Sequence, residues 1–228
     1  MITAILGPAA RAPSPTLGWV DLPRSASIHG APETERLREP VPGVLLLADG
    51  GWLLLDTGFN TALIADEALR RRYHGDPLVQ PVLPGPGEPL VAELAGAGIG
   101  PGDIRAVAIS HLHYDHAGGD TEIAPGVTAV LTAGHTPGHQ SFVVDIDESA
   151  GGGFVFACDA ADLTENIEDE LPAGGFTGVP PEVTAEQVRR LKRIAAARGY
   201  RVIPGHDPAA WPALTRELAA GWPPRRLR

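Results

Sequence analysis

Hydrophobic positions along the chain follow two periods. Val44–Gly58 reads VLLLADGGWLLLDTG, two apolar runs around Asp49-Gly50-Gly51, and Asp-Gly between such runs predicts a β-hairpin. Residues 104–110, 127–132, 141–146, 153–158 and 200–204 are apolar runs of strand length. Helical spacing governs 182–198, where Val183, Val188, Leu191, Ile194 and Ala195 share one face. Shorter helices are predicted over 61–73, over 88–97 with a stop at Gly98, and from Pro208 to Ala220. Residues 8–43 and 76–87 are rich in proline and read as loop. Strands in both halves, with helices between and after them, imply a mixed α/β layered fold.

Composition narrows the partners. The chain has 228 residues, 43% hydrophobic and 20% charged, which suits one globular domain over 1–228 and excludes disorder over most of its length. Asp and Glu number 28 against 18 Lys and Arg, a net charge of −10 that repels polyphosphate and argues against a nucleic-acid partner. The single cysteine, Cys158, excludes an intramolecular disulfide and a zinc site made of cysteines alone. No window approaches ~18 uninterrupted apolar residues, and the first residues lack the basic start of a signal peptide. A soluble cytoplasmic protein without a membrane partner is therefore expected. The apolar stretch 44–55 is a candidate surface for a homodimer.

The chemistry-bearing residues are the histidines, eight in all. His111, His113 and His116 fall within HLHYDH together with Asp115, directly after an apolar strand ending at Ser110. Imidazole and carboxylate are first-choice zinc ligands, although iron, manganese and cobalt also accept them. An extended backbone puts His111 and His113 on one side, and Asp115 and His116 lie past a turn, free to face a second ion. Three further pieces each end an apolar strand: GHTPGH with His135 and His139, ACDA with Asp159, and PGHD with His206. Ligand counting gives His111, His113 and His135 to one ion and Asp115, His116 and His206 to another. Asp159 is left to bridge the two. Such a pair of ions generates a hydroxide at neutral pH and polarises a carbonyl.

HLHYDH, GHTPGH, Asp159 and GHD, in this order, resemble the metallo-β-lactamase superfamily, and LLLDTG (Leu53–Gly58) is similar to its N-terminal strand motif. HLHYDHAGG, TAGHTPGHQS and ENIEDELP (165–172) resemble its N-acyl homoserine lactonase branch, the quorum-quenching enzymes. The resemblance spans 44–207. It implies a four-layer αβ/βα sandwich with two divalent ions, zinc by ligand type, at one edge. It also implies hydrolysis of a small-molecule lactone by metal-bound hydroxide, with Asp115 shuttling a proton to the leaving oxygen and Asp56 beneath the metals. A thioesterase of the glyoxalase II kind, another small-ester hydrolase, or a metal-binding member that has lost activity are the alternatives.

Two departures from that pattern stand out. The lactonases place a tyrosine three residues after the bridging aspartate, where it hydrogen-bonds the substrate carbonyl; here that position is Asp162. A carboxylate accepts and does not donate, so Asp162 takes a catalytic part only as the acid, or by binding a different polar group. The segment after HLHYDH is also shortened, which leaves DTEIAPG (120–126) to replace a strand and a helix and predicts a more open pocket or an uncovered sheet edge. Cys158 is expected on the core face opposite Asp159 by strand alternation. His139 is expected beside the ligands rather than among them. Asp207 either orients His206 or caps the next helix. The acids at 165–170 are expected to be structural, and Trp211 and Trp222 to pack the C-terminal segment.

Overall fold

Two sheets face each other across the main core, and strand alternation decides what each side touches. In a computed structural model of the protein, residues 2–6, 17–48, 51–59, 61–68, 78–111, 121–124, 126–146, 152–175 and 178–219 are described. β1 (Ile2–Leu6), β4 (Gly43–Ala48), β5 (Gly51–Leu55) and β7 (Ile104–Ala108) form one sheet in that order. β12 (Arg201–Ile203), β11 (Gly153–Phe156), β10 (Gln140–Asp145), β9 (Val127–Leu131) and β8 (Thr121–Ala124) form the second. β4 and β5 are the expected hairpin, with Val44 opposite Leu55 and Leu46 opposite Leu53.

Those four side chains point inward and meet Phe142, Val144, Phe154 and Phe156 of the second sheet. Leu45 and Leu54, one step out of phase, turn to the other side and bury against Leu94 of α3 (Pro89–Gly96). Val130, Val143 and Val155 likewise turn away from the centre, onto Val188, Leu191 and Ala195 of α5 (Pro181–Arg198). The order is helix, sheet, sheet, helix, which is the four-layer αβ/βα sandwich expected. Each fully buried Leu or Phe in these layers contributes about 1.5–3 kcal/mol of transfer free energy. α5 starts on Pro181 and stops at Gly199, whose φ of +68° is the left-handed cap that closes the last turn.

Several expectations change. Within 8–43, read as loop, β2 (Trp19–Pro23) and β3 (Arg36–Pro40) pair antiparallel, and β6 (Gln80–Val82), inside the expected loop 76–87, joins β2 on its other side. Prolines hid these strands: Pro23 and Pro40 stand at strand ends and Pro81 in an outer strand, the places where a missing N–H is tolerated. The helix expected over 61–73 is described as α2 (Thr61–Ala65), and 69–77 lie outside the described residues. Of the stretch 44–55, Val44, Leu45, Leu46, Leu53, Leu54 and Leu55 are buried within the chain rather than presented as an outer apolar face. Among the described residues β7 is the outer strand of its sheet, with Arg105, Ala106 and Val107 exposed. Among the described residues no helix is long and apolar enough to cross a membrane.

The segment ENIEDELP is structural, as expected, and its centre is Asn166 in α4 (Thr164–Glu168). Asn166 is fully buried; its Oδ1 accepts from the Leu163 N–H at 2.9 Å and its amide donates to the carbonyls of Ser27 (3.2 Å), Leu171 (3.3 Å) and Pro172 (3.4 Å). Glu165 pairs with Arg24, and Glu170 with Lys192. Asn166→Ala strands these backbone groups and is expected to lower the unfolding free energy by about 2 kcal/mol in urea titration. Exposed Glu168→Gln, on the same helix, is expected to stay within about 0.5 kcal/mol of the parent.

Candidate metal centre

Four loops that leave the ends of strands converge at one edge of the sandwich. β11 ends at Phe156, and the chain enters a 3-10 turn, Cys158–Ala160, that presents Asp159. β12 ends at Ile203 and leads through Gly205 to His206. The Gly205 N–H donates to Ala161 O and the His206 N–H to Asp162 O, both at 2.8 Å, so the two loops are laced together through their backbones. A Cβ at Gly205 would lie 2.5 Å from the Cys158 carbonyl oxygen, an approach only glycine permits. His206 donates Nδ1–H to Pro40 O at 2.8 Å, which turns Nε2 toward Asp159 Oδ1 at 3.3 Å.

The other oxygen of Asp159 faces two more imidazoles. His135, from the loop between β9 and β10, puts Nε2 3.4 Å from Oδ2, and His111, just after β7, puts Nε2 3.9 Å away. Their rings meet edge to face with centroids 4.8 Å apart. Burial works to raise the Asp159 carboxyl, but the three histidines hold it well below the usual carboxylate range. Burial works against a charged His206, yet Asp159, with Asp162 and Glu39 adding, holds it well above the usual histidine range. Two sets of donors result, His111–His135–Asp159 and Asp159–Asp162–His206, each with one ligand atom per residue mutually within 4.8 Å. Nitrogen and oxygen donors in this arrangement fit divalent metal ions.

Carboxyls surround the second set. Asp162 is 8% exposed, and Oδ1 has no hydrogen-bond partner among the described residues. Burial pushes its carboxyl well up, and Asp159 and Glu39 push it further against the pull of His206. Glu39, buried at the end of β3, accepts from Ser27 Oγ–H at 2.6 Å, and burial raises it too. Asp56 stands under the site at φ +59°, and its Oδ1 accepts from the Ser110 N–H at 2.7 Å, which ties the end of β5 to the end of β7. That backbone is unusual for a residue other than glycine and marks a position whose neighbours enforce it.

A cavity of about 970 Å³ opens onto these residues. Val20, Leu22 and Val41, from β2 and just after β3, together with Ile64 and Val79, give it an apolar side. The apolar side on view comes from the N-terminal strands and from Ile64 and Val79, whereas residues 112–120 after the first histidine lie outside the described residues.

Of the expected site residues, His111, His135, Asp159, Asp162 and His206 come together. His113, Asp115 and His116 lie outside the described residues. His139 sits beside the ligands as expected: it is fully buried, with its ring 5.5 Å from that of His111. Ser141 donates to Ala157 O, Thr132 bonds Ser141, and His139 Nδ1 bonds Thr132, each at 2.8 Å, so the His139 proton is on Nδ1. Burial pushes its pKa down to about 3, so it stays neutral. Asp207 is a cap: its carboxylate accepts from the N–H groups of Ala209 and Ala210 at the start of α6 (Ala210–Ala219) and from that of Thr164 at the start of α4. Trp211 packs α6 down as expected, 3% exposed with Nε1–H on Gly205 O, whereas Trp222 lies outside the described residues. Cys158, at φ +49°, packs against the core between the sheets together with Phe156, as expected, and it also lines the cavity onto which Asp159 opens. Glu39 and Ser27 escaped the sequence reading, since neither belongs to a motif or a periodic run.

Residues 38–125 and 119–206 match the family model described as the metallo-beta-lactamase superfamily. The N-acyl homoserine lactonase AiiA of Bacillus thuringiensis subsp. kurstaki is 29% identical over 214 residues, covering 75% of this chain and 82% of that protein. The N-acyl homoserine lactonase AttM of Azorhizobium caulinodans is 28% identical and covers 78% of this chain and 85% of its own. Among solved structures, an N-acyl homoserine lactone hydrolase holding the product N-hexanoyl-L-homoserine at its catalytic metal centre superposes with a TM-score of 0.74 at 25% identity, over 91% of this chain and 93% of that one.

Gly205→Ala is expected to push the His206 loop off the Cys158 carbonyl. Thermal melts should show a lower midpoint for the metal-stripped variant and a smaller rise on adding Zn2+ than the parent shows.

Proposed function

The chain belongs to the metallo-beta-lactamase superfamily, and on that premise we propose that it is a dinuclear-metal lactonase opening the ring of N-acyl homoserine lactones, a quorum-quenching hydrolase. The observation that carries the reading is the Asp159 carboxylate, faced by His111, His135 and His206 where an apolar-sided cavity opens. The relatives bearing that activity in their names align over most of their own length. The whole chain acts as one hydrolase domain, and its partner is a small molecule.

In this reading His111, His113 and His135 would hold one ion and Asp115, His116 and His206 the other, with Asp159 as a ligand they share. Two divalent ions in such a set, zinc by preference, lower the pKa of water toward 7 and polarise a lactone carbonyl. The chain does the rest. The Pro40 carbonyl keeps the His206 proton on Nδ1 and leaves Nε2 for the site. Asp56 holds the end of β7 under His111 through the Ser110 N–H. Val20, Leu22 and Val41 take an acyl chain out of water, at about 0.8 kcal/mol per buried methylene. Asp115 would take up the proton that the attacking water gives up and hand it to the ring oxygen as the ester bond breaks, so that the alcohol leaves neutral.

Ring opening liberates an acid, so proton release measures it without a label. The zinc-loaded protein is expected to release protons from acyl homoserine lactones, faster with longer chains. Excess chelator, or His116→Ala, should bring the rate to background. Turnover of thioesters with none of lactones would contradict the reading.

A further inference from the structure

We infer that Asp162 is a protein ligand of the ion held at His206, an eighth ligand beyond the seven that the superfamily pattern implies. The inference deepens the reading above and rests on its metal centre. It also replaces the two parts expected of Asp162, as the acid or as the partner of a different polar group: Asp162 acts on the metal.

Geometry comes first. An oxygen of Asp162, an oxygen of Asp159 and a ring nitrogen of His206 lie mutually within 4.8 Å. Ligands of one zinc-like ion sit about 2.0–2.2 Å from it, so two of them are at most about 4.4 Å apart. A contraction of a few tenths of an ångström closes the group, and His206 Nε2 and Asp159 Oδ1 are already at 3.3 Å. The backbone couples the two outer members, because the His206 N–H donates to Asp162 O at 2.8 Å. Asp162 and His206 therefore move toward an ion together.

The surroundings of Asp162 call for a cation. Its side chain is 8% exposed and Oδ1 has no hydrogen-bond partner among the described residues. A buried carboxyl oxygen left in that state is costly unless something pairs with it. The groups that act on Asp162 are Asp159, His206 and Glu39, two carboxyls against one imidazole. Glu39 is the poorer candidate ligand, since Ser27 Oγ–H already occupies its Oε1 at 2.6 Å. It adds negative charge behind the ion. The second position thus has more oxygen donors than the first, which is built on three histidines. Hard ions such as Mn2+ gain there relative to Zn2+.

The test is a metal titration of the stripped full-length chain, parent against Asp162→Asn and Glu39→Gln, by competition with a chromophoric chelator, with circular dichroism as the check on folding. The parent is expected to bind two ions. Asp162→Asn should weaken the second by about tenfold or more and leave the first unchanged, with a larger loss for Mn2+ than for Zn2+. Glu39→Gln should weaken it less than Asp162→Asn does. An equal second constant in the parent and Asp162→Asn overturns the inference, as does a parent that binds one ion. Infrared difference spectra with 13C-carboxyl aspartate compare the parent with Asp162→Asn. Addition of the second equivalent should shift one more aspartate carboxylate band in the parent than in the variant, and equal shifts in the two overturn the inference. Two ions bound in this pattern without lactone turnover would leave the ligand assignment standing and sink the lactonase reading.

Discussion

A carboxylate held mostly out of water has to be surrounded by positive charge, and Asp159 is where this chain meets that requirement. His206 approaches one of its oxygens, and His135 and His111 the other. Each arrives on a different loop, from the ends of β12, β9 and β7. The three imidazoles hold the carboxyl ionised although burial opposes it. Without an ion, the histidines themselves must share the charge, which is why His206 is pulled well above its usual range. Divalent ions between the same groups would satisfy donors and acceptors together.

The rest of the fold serves that convergence. Two sheets locked face to face by Phe142, Phe154, Phe156 and the β4–β5 leucines give the strand ends fixed positions. Close backbone approaches then carry this rigidity outward: Gly205 against Cys158, Ser110 onto Asp56, His206 onto Asp162. The left-handed backbones of Asp56 and Cys158 show where the neighbours override local preference. The substrate side is less regular, a small three-stranded sheet rich in proline that walls the cavity.

What could be read from the sequence followed this division. His111, His135, Asp159 and His206 were legible because each ends an apolar strand in a recognisable short motif. The four layers were legible because Leu45 and Leu54 alternate with Leu46 and Leu53. β2, β3 and β6 were not, since short strands bounded or interrupted by proline have no period to detect. Glu39 was missed because its burial is created by β2 and β6, far away in sequence. The apolar stretch 44–55 was taken for a possible outer face because pattern alone cannot say that two layers, one on each side, cover it.

The central claim is that this edge of the sandwich holds two ions across one carboxylate. X-ray absorption of the protein loaded with two equivalents of zinc tests it most directly. The account predicts a first shell of imidazole nitrogen and carboxylate oxygen, with a metal–metal vector at about 3.5–4 Å. Zinc taken up with the same first shell but no metal–metal vector, or bound only through scattered surface carboxylates, would contradict it.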